Sequence, residues 1–286
     1  MRRTSLPTSA LFLLAALLLA PAQPRAEDLN PAEVKISTPF YQPAGFTPAL
    51  GTYVYEVSWQ GIPAASATIT VDRDGKDLLI SAGAKTLRAI DILYKLRYNA
   101  SARISADKLL PSASVYHKQE NKKVRDTEIT FLPSGEISTV RRNEKGEVER
   151  LQFNPENLTL DPFSASFLAR SLDWKLGDTK YFDTYEGKNR YLISLTAVDK
   201  VRMQINKQPR DVWVIMPKVK KLGGPINAKK LRQAHIYMTA DEAREILEIK
   251  SEVFIGSVRT KLVSFIPSRK SGTVAGKPAP EKLALR

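Results

Sequence analysis

Tyr53-Val54-Tyr55-Glu56-Val57-Ser58-Trp59-Gln60-Gly61-Ile62-Pro63-Ala64-Ala65-Ser66-Ala67-Thr68-Ile69-Thr70-Val71 is written in a two-residue period. Tyr53, Tyr55, Val57 and Trp59 hold alternate positions, and Ala65, Ala67, Ile69 and Val71 do so again after a turn at Gln60-Gly61-Ile62-Pro63. Successive side chains of a strand point to opposite faces, so this alternation describes a β-hairpin with one buried face.

The pattern continues outward. Asp72-Arg73-Asp74-Gly75 is the next turn and Leu78, Ile80 and Ala82 mark a third strand. Further strands are predicted near 98–104, 112–119, 124–131, 137–141, 148–153, 180–185, 190–198, 202–205, 210–217, 232–239, 246–254 and 256–265. Short turns such as Pro133-Ser134-Gly135 and Glu186-Gly187-Lys188-Asn189 separate them. Strands joined in this way predict a mainly β fold: a curved antiparallel sheet, closed into a barrel or left as a half-barrel. Two segments depart from the alternation. Leu87–Leu96 carries apolar residues at helical spacing. In Asp161–Trp174, Asp161 is placed to cap, Pro162 suits the first helical position, and Phe163, Phe167, Leu168 and Leu172 share a face. The expected fold therefore has one or two short helices packed in the curved sheet or at its end.

The chain starts with Arg2 and Arg3, followed by the apolar run Ala10–Ala20 and the small-residue site Ala20-Pro21-Ala22. This is the layout of a secretory signal, with cleavage expected after Ala22 or, as second choice, Ala26. The run is shorter than the about 20 apolar residues of a membrane span, and no later segment is apolar enough for one. The organisation expected is a signal peptide at 1–22, an extended proline-rich leader at 23–50, one β-rich domain at 51–267 and a disordered basic tail at 268–286. The chain has no cysteine, so disulfides and thiol chemistry are excluded. The short alanine-leucine signal points to the periplasm.

Lysine and arginine total 44 against 30 acidic residues, a net charge of +14 that falls to +12 or +11 as two or three arginines leave with the signal. Outside the cytoplasm such a charge favours anionic lipid head groups or acidic envelope polymers, with peripheral contact at a membrane surface, rather than nucleic acid. A solvated basic surface with no specific partner is the plainer alternative. Six basic residues and no acid occupy Lys218–Arg232, a glycine- and proline-bearing loop. Lys218, Lys220, Lys221, Lys229 and Lys230 are its candidate anion contacts.

Signals for catalysis are sparse. His117 and His235 lack a companion third ligand, so no metal is expected. The chain contains no Gly-x-Ser-x-Gly and no P-loop, and nothing in it implies a cofactor. The aromatic residues Tyr55, Trp59, Phe163, Phe167 and Trp174 are the candidate lining of a hydrophobic groove, core packing being their other use.

The order of several motifs resembles an exported bacterial family, domain of unknown function 3108. These are Tyr53–Ala65, Ile90-Asp91-Ile92-Leu93-Tyr94 before a strand, Leu110-Pro111-Ser112, Asp161-Pro162-Phe163-Ser164 through Leu168-Ala169-Arg170 to Gly177-Asp178, and His235–Asp241. The likeness spans about 51–267. The chain departs from the family in carrying Tyr237 where a tryptophan-containing strand is usual, and Glu245-Ile246 where Pro-Val is usual. The resemblance implies a β-rich envelope protein and assigns no catalytic residues.

Together these features predict a periplasmic, non-catalytic binding or chaperone-like protein for a lipid, a lipidated molecule or a polyanionic envelope component. The alternatives are an envelope scaffold with a filled core and a hydrolase acting on glycan or lipid. An apolar cavity, a packed interior, or polar side chains converging in a cleft would separate the three.

Overall fold

The computed structural model of the protein describes residues 36–205, 207–222, 231–253 and 256–268. The signal layout, both expected cleavage sites, Lys229, Lys230 and the tail beyond Ser268 lie outside them. Among the described residues no helix is long and apolar enough to cross a membrane, which says nothing of crossing by strands.

Among the described residues the alternating segments become one curved sheet of fifteen strands. Its first half holds β1 (Gly51–Trp59), β2 (Ile62–Asp74), β3 (Asp77–Thr86), β4 (Leu96–Ser105), β5 (Pro111–Glu120), β6 (Lys123–Phe131), β7 (Ile137–Arg142) and β8 (Val148–Phe153). The second half holds β9 (Thr159–Leu160), β10 (Thr179–Tyr185), β11 (Arg190–Ile205), β12 (Gln208–Lys221), β13 (Leu231–Thr239), β14 (Ile246–Val253) and β15 (Ser257–Pro267). Each strand pairs with the next within its half, and β15 returns to pair with β1. The sheet is thus a meander in two arms whose centre is made by its first and last strands. Every pairing is antiparallel except the short β9–β10 contact. Among the described residues β8 and β9 are the edges of the sheet.

The sheet curls like a scroll, with the β9–β10 edge and the helix α2 (Pro162–Ser171) inside the hollow of the first arm. Four contacts locate that overlap. Phe163 of α2 stacks on Tyr116 of β5 at 6.4 Å, and Phe153 of β8 meets Tyr185 of β10 edge-on at 5.1 Å. Thr139 of β7 donates to the Tyr185 hydroxyl, and Ser114 of β5 donates to Asp161 at 2.7 Å. The main core therefore draws Tyr53, Tyr55, Leu78, Ile80, Leu96, Tyr98 and Ile104 from the early strands, Phe163, Phe167 and Leu168 from the helix, and Phe182 and Tyr185 from β10.

α2 forms where Asp161 and Pro162 announce it. Asp161 has extended backbone and accepts the Ser164 N–H at 2.7 Å, and the proline sits in the first turn, where its missing N–H is harmless. The segment 87–96 does not form a three-turn helix. Only Arg88–Asp91 is helical, as α1, and Leu96 opens β4. None of the α1 residues is buried, and Ile92 and Leu93 stay 85% and 69% exposed, so the helical spacing has no face to pack. The segments 190–198 and 202–205 are one strand, β11, interrupted by a bulge at Ala197/Asp199.

One buried ion pair ties the inner edge. Arg190, 1% exposed, holds Asp183 through Nε at 3.3 Å and through its terminal nitrogen, and Thr159 donates to the same carboxylate at 2.8 Å. Residues 36–50 carry no regular structure. Tyr41 nevertheless packs on Phe182 at 5.4 Å, and Phe46 packs on Phe167 at 6.3 Å.

Candidate functional site

The two sides of α2 differ in size. Phe163 and Phe167, four residues apart, face the scroll interior. On another stripe stand Pro162, Ala165, Ser166, Ala169 and Arg170, at the i, i+3, i+4, i+7, i+8 spacing of one helical face. Four of those five are small, so the helix stands off from the second arm of the sheet without filling the gap.

The opposite wall is a ladder of paired residues. Ala197 of β11 is the register partner of Ile215 of β12, Ile215 partners Ile236 of β13, and Ile236 partners Ile249 of β14. Register partners share a sheet face, so these four present one apolar surface. Met238 and Ile246 form an adjacent pair on it. Phe182, Ile193, Leu195 and Trp174 complete a cleft whose interior volume is about 60 Å³. The Trp174 indole N–H donates to the Ala169 carbonyl at 3.1 Å, which fixes the ring at the end of the helix.

Among the described residues Arg170 is the one charged residue in this lining. It is 8% exposed. Its Nε donates to the Arg244 carbonyl at 2.8 Å, and a terminal nitrogen reaches the Ala243 carbonyl at 3.5 Å. The guanidinium lies 5.0 Å from the ring centres of both Phe46 and Phe167. Burial raises the Tyr53 and Tyr55 hydroxyls above the ordinary phenol value, and the nearby Arg170 charge opposes the shift in both.

Of the aromatic residues expected to line a groove, Trp174 does so. Phe163 and Phe167 point from the same helix into the main core, and Tyr55 joins that core, its hydroxyl donating to the Ile246 carbonyl at 3.1 Å. Trp59 packs beside Val57, Ala65 and Val258 in a separate small cluster. The structure does not bring these five together. Lys218 and Lys220 are exposed, and strand alternation puts them on the opposite face of β12 from Ile215. Lys221 has the parity of Ile215 and lies six residues further along the strand, beside Tyr191 in register. The cleft residues Ile193, Leu195, Ile215, Ile236, Met238, Ile246, Ile249 and Arg170 were not singled out by aromatic content or charge. The small-residue stripe of α2 is the sequence signal that points to them.

Other polar groups inside the protein are held by hydrogen bonds or ion pairs. Burial raises the Asp161 carboxyl above its ordinary range, against hydrogen bonds from Ser164 and Ser114. Glu186 is raised by burial too, and Lys118 is lowered by it. Ser114 and Asp161 form a pair without a histidine. His117 bonds Asp126 at 2.6 Å, and His235 stands beside Gln233. Among the described residues no three histidine or acidic side chains gather as a metal site would require.

The profile of the family described as "Protein of unknown function (DUF3108)" matches residues 54–263. The chain belongs to the DUF3108 family. Among solved structures, the fold is similar to a β-barrel-like protein of domain of unknown function DUF1849 from Brucella abortus. The two share 10% identity with a TM-score of 0.51, over 78% of this chain and 99% of that one. A candidate lipoprotein from Parabacteroides distasonis aligns over 79% of this chain and 100% of its own at 8% identity, with a TM-score of 0.31. No curated protein matches the chain. The Brucella likeness confirms the β-barrel-like fold expected from the alternating sequence.

Proposed function

We propose that this DUF3108 protein is an exported, non-catalytic binding protein of the periplasm that holds the apolar segment of a cell-envelope lipid or lipidated molecule. The observation that carries the reading is the cleft between the small-residue stripe of α2 and the isoleucine ladder of β12–β14. Apolar, concave sites lined by aliphatic and aromatic side chains are the usual receptors for apolar ligands. In the volume measure used for buried water, where one molecule needs about 10–15 Å³, the cleft admits on the order of four to six water-sized groups. That suits a stretch of one alkyl chain. The secretory layout of the first 22 residues supports export, and the exposed Lys218 and Lys220 suit long-range attraction to anionic envelope surfaces.

A cleft-filling variant tests the reading. Ala165→Leu combined with Ala169→Leu places branched side chains in the gap without disfavouring the helix. The unmutated protein is expected to take up the neutral fluorophore N-phenyl-1-naphthylamine saturably and release it to a long-chain alcohol, whereas the double variant does neither. Equal uptake by both proteins places the probe elsewhere and removes the proposal.

A further inference from the structure

Arg170 and Arg190 are both more than nine-tenths buried, and they differ in one respect. Arg190 has Asp183 against it, a buried carboxylate that neutralises its charge. Among the described residues no carboxylate lies within 4 Å of Arg170. Its hydrogen bonds go to two neutral carbonyls and to the neutral Tyr53 hydroxyl, and its faces to two phenyl rings. Glu245, whose charge reaches the neighbouring Tyr53, is engaged by Arg210 at 2.9 Å.

Carbonyl oxygens and aromatic faces offset part of the desolvation of a guanidinium, and they leave its unit charge uncompensated. Arginine is seldom buried without a partner charge. A guanidinium carries five N–H donors, and the two carbonyls and the Tyr53 hydroxyl use three of them. The planar fork of donors matches the two oxygens of a carboxylate or phosphate. Among the described residues this cation is the one charge lining a cleft that, Ser166 apart, is apolar, so the lining pairs a charged position with apolar walls.

We infer that the cleft takes a single-chain amphiphile with an anionic head, a carboxylate or a phosphate monoester, and that Arg170 receives the head. The inference rests on the cleft reading above and adds the chemistry of the head. The carbonyls of Ala243 and Arg244 orient the guanidinium, and the phenyl rings of Phe46 and Phe167 fix its plane. A neutral head of the same chain length gains the apolar contacts and forgoes the charge-assisted pair.

Calorimetric titration with decanoate, decyl phosphate, 1-decanol and inorganic phosphate, all below aggregation concentrations, separates the contributions. Decanoate and decyl phosphate are expected to bind about ten- to a hundredfold more tightly than 1-decanol. Inorganic phosphate is expected to bind too weakly to measure. Arg170→Gln is expected to bring the acids down to the affinity of the alcohol while leaving the alcohol unchanged, and Arg170→Lys to restore part of the difference. Equal binding of acid and alcohol by the unmutated protein overturns the inference and leaves the cleft reading standing. So does an equal loss of all three amphiphiles in Arg170→Gln with its thermal midpoint preserved. Failure of every amphiphile to bind the unmutated protein removes the cleft reading itself. Tight binding of inorganic phosphate alone reassigns Arg170 to a free-anion site and overturns the amphiphile. The acid-against-alcohol comparison needs no variant, so it decides the matter even if Arg170→Gln fails to fold.

Discussion

Asp161 joins the helix that walls the cleft to the strand that encloses it, and its substitution tests how the scroll holds together. The side chain is fully buried; one oxygen accepts the Ser164 N–H and the other accepts the Ser114 hydroxyl, each at 2.7 Å. Asp161→Ala removes the cap, a loss of about 1–2 kcal/mol. It also leaves the Ser114 hydroxyl buried without that acceptor, about 1–3 kcal/mol more. A total near 3 kcal/mol lowers the thermal midpoint of a domain this size by roughly 6–12 °C. Asp161→Asn behaves differently. Its amide oxygen still accepts from Ser164 and its amide nitrogen donates to the Ser114 hydroxyl, while the buried charge is gone. Because burial raises the folded-state value of Asp161, this carboxyl favours folding most when protonated. Its contribution falls as pH rises from the ordinary aspartate value, about 3.9, through the raised value. Asp161→Asn is therefore expected within about 1 kcal/mol of the unmutated protein at neutral pH, with a flatter stability profile on the acid side. Thermal unfolding of the three proteins across pH measures this. If Asp161→Asn is as damaging as Asp161→Ala at pH 7, the carboxylate charge is needed and the reasoning fails.

Arg190→Met strands Asp183 in the core and is expected to cost about 3–5 kcal/mol; pairing it with Asp183→Leu should recover much of that loss in denaturant titrations. Gly187 has φ +96° in the β10–β11 turn, where an added Cβ would meet the Thr127 side chain of β6. Gly187→Ala should therefore lower stability by about 1–3 kcal/mol, whereas Gly146→Ala, at φ +81° with open space around it, should lower it less. Hydrogen bonds from Arg97 and Thr86 lower Asp91 to about 2. The stability that Asp91 lends to the α1 turn is thus complete above about pH 4 and lost as pH falls through 2, and the protection factors of the Asp91 and Tyr94 amides, with intrinsic exchange divided out, should fall there and not at pH 5.

The strands were legible because one buried face writes a two-residue period, as in Tyr53, Tyr55 and Val57 or Leu96, Tyr98, Ala100, Ala102 and Ile104. The bulge at Ala197/Asp199 shifts that phase, so β11 reads as two strands. The two-residue β9 is too short to carry a period. The pairing of β1 with β15 joins residues two hundred positions apart, and no local pattern encodes it. In 87–96 the spacing of apolar residues suggested a helix, yet Ile92 and Leu93 face solvent, because only tertiary packing could have stabilised so short a segment. The cleft escaped a search for large aromatics because it is defined by missing volume. Ala165 and Ala169 create it, and Phe163 and Phe167 fill the space on the other side of the same helix.

The central claim is that the cleft holds one apolar chain. Native mass spectrometry of the protein isolated gently from its own envelope fraction, before and after organic extraction, tests it most directly. The account predicts a mass increment of one single-chain lipid that extraction removes and that the Ala165→Leu/Ala169→Leu protein lacks. A bare polypeptide mass, unchanged after incubation with envelope lipids, would contradict it.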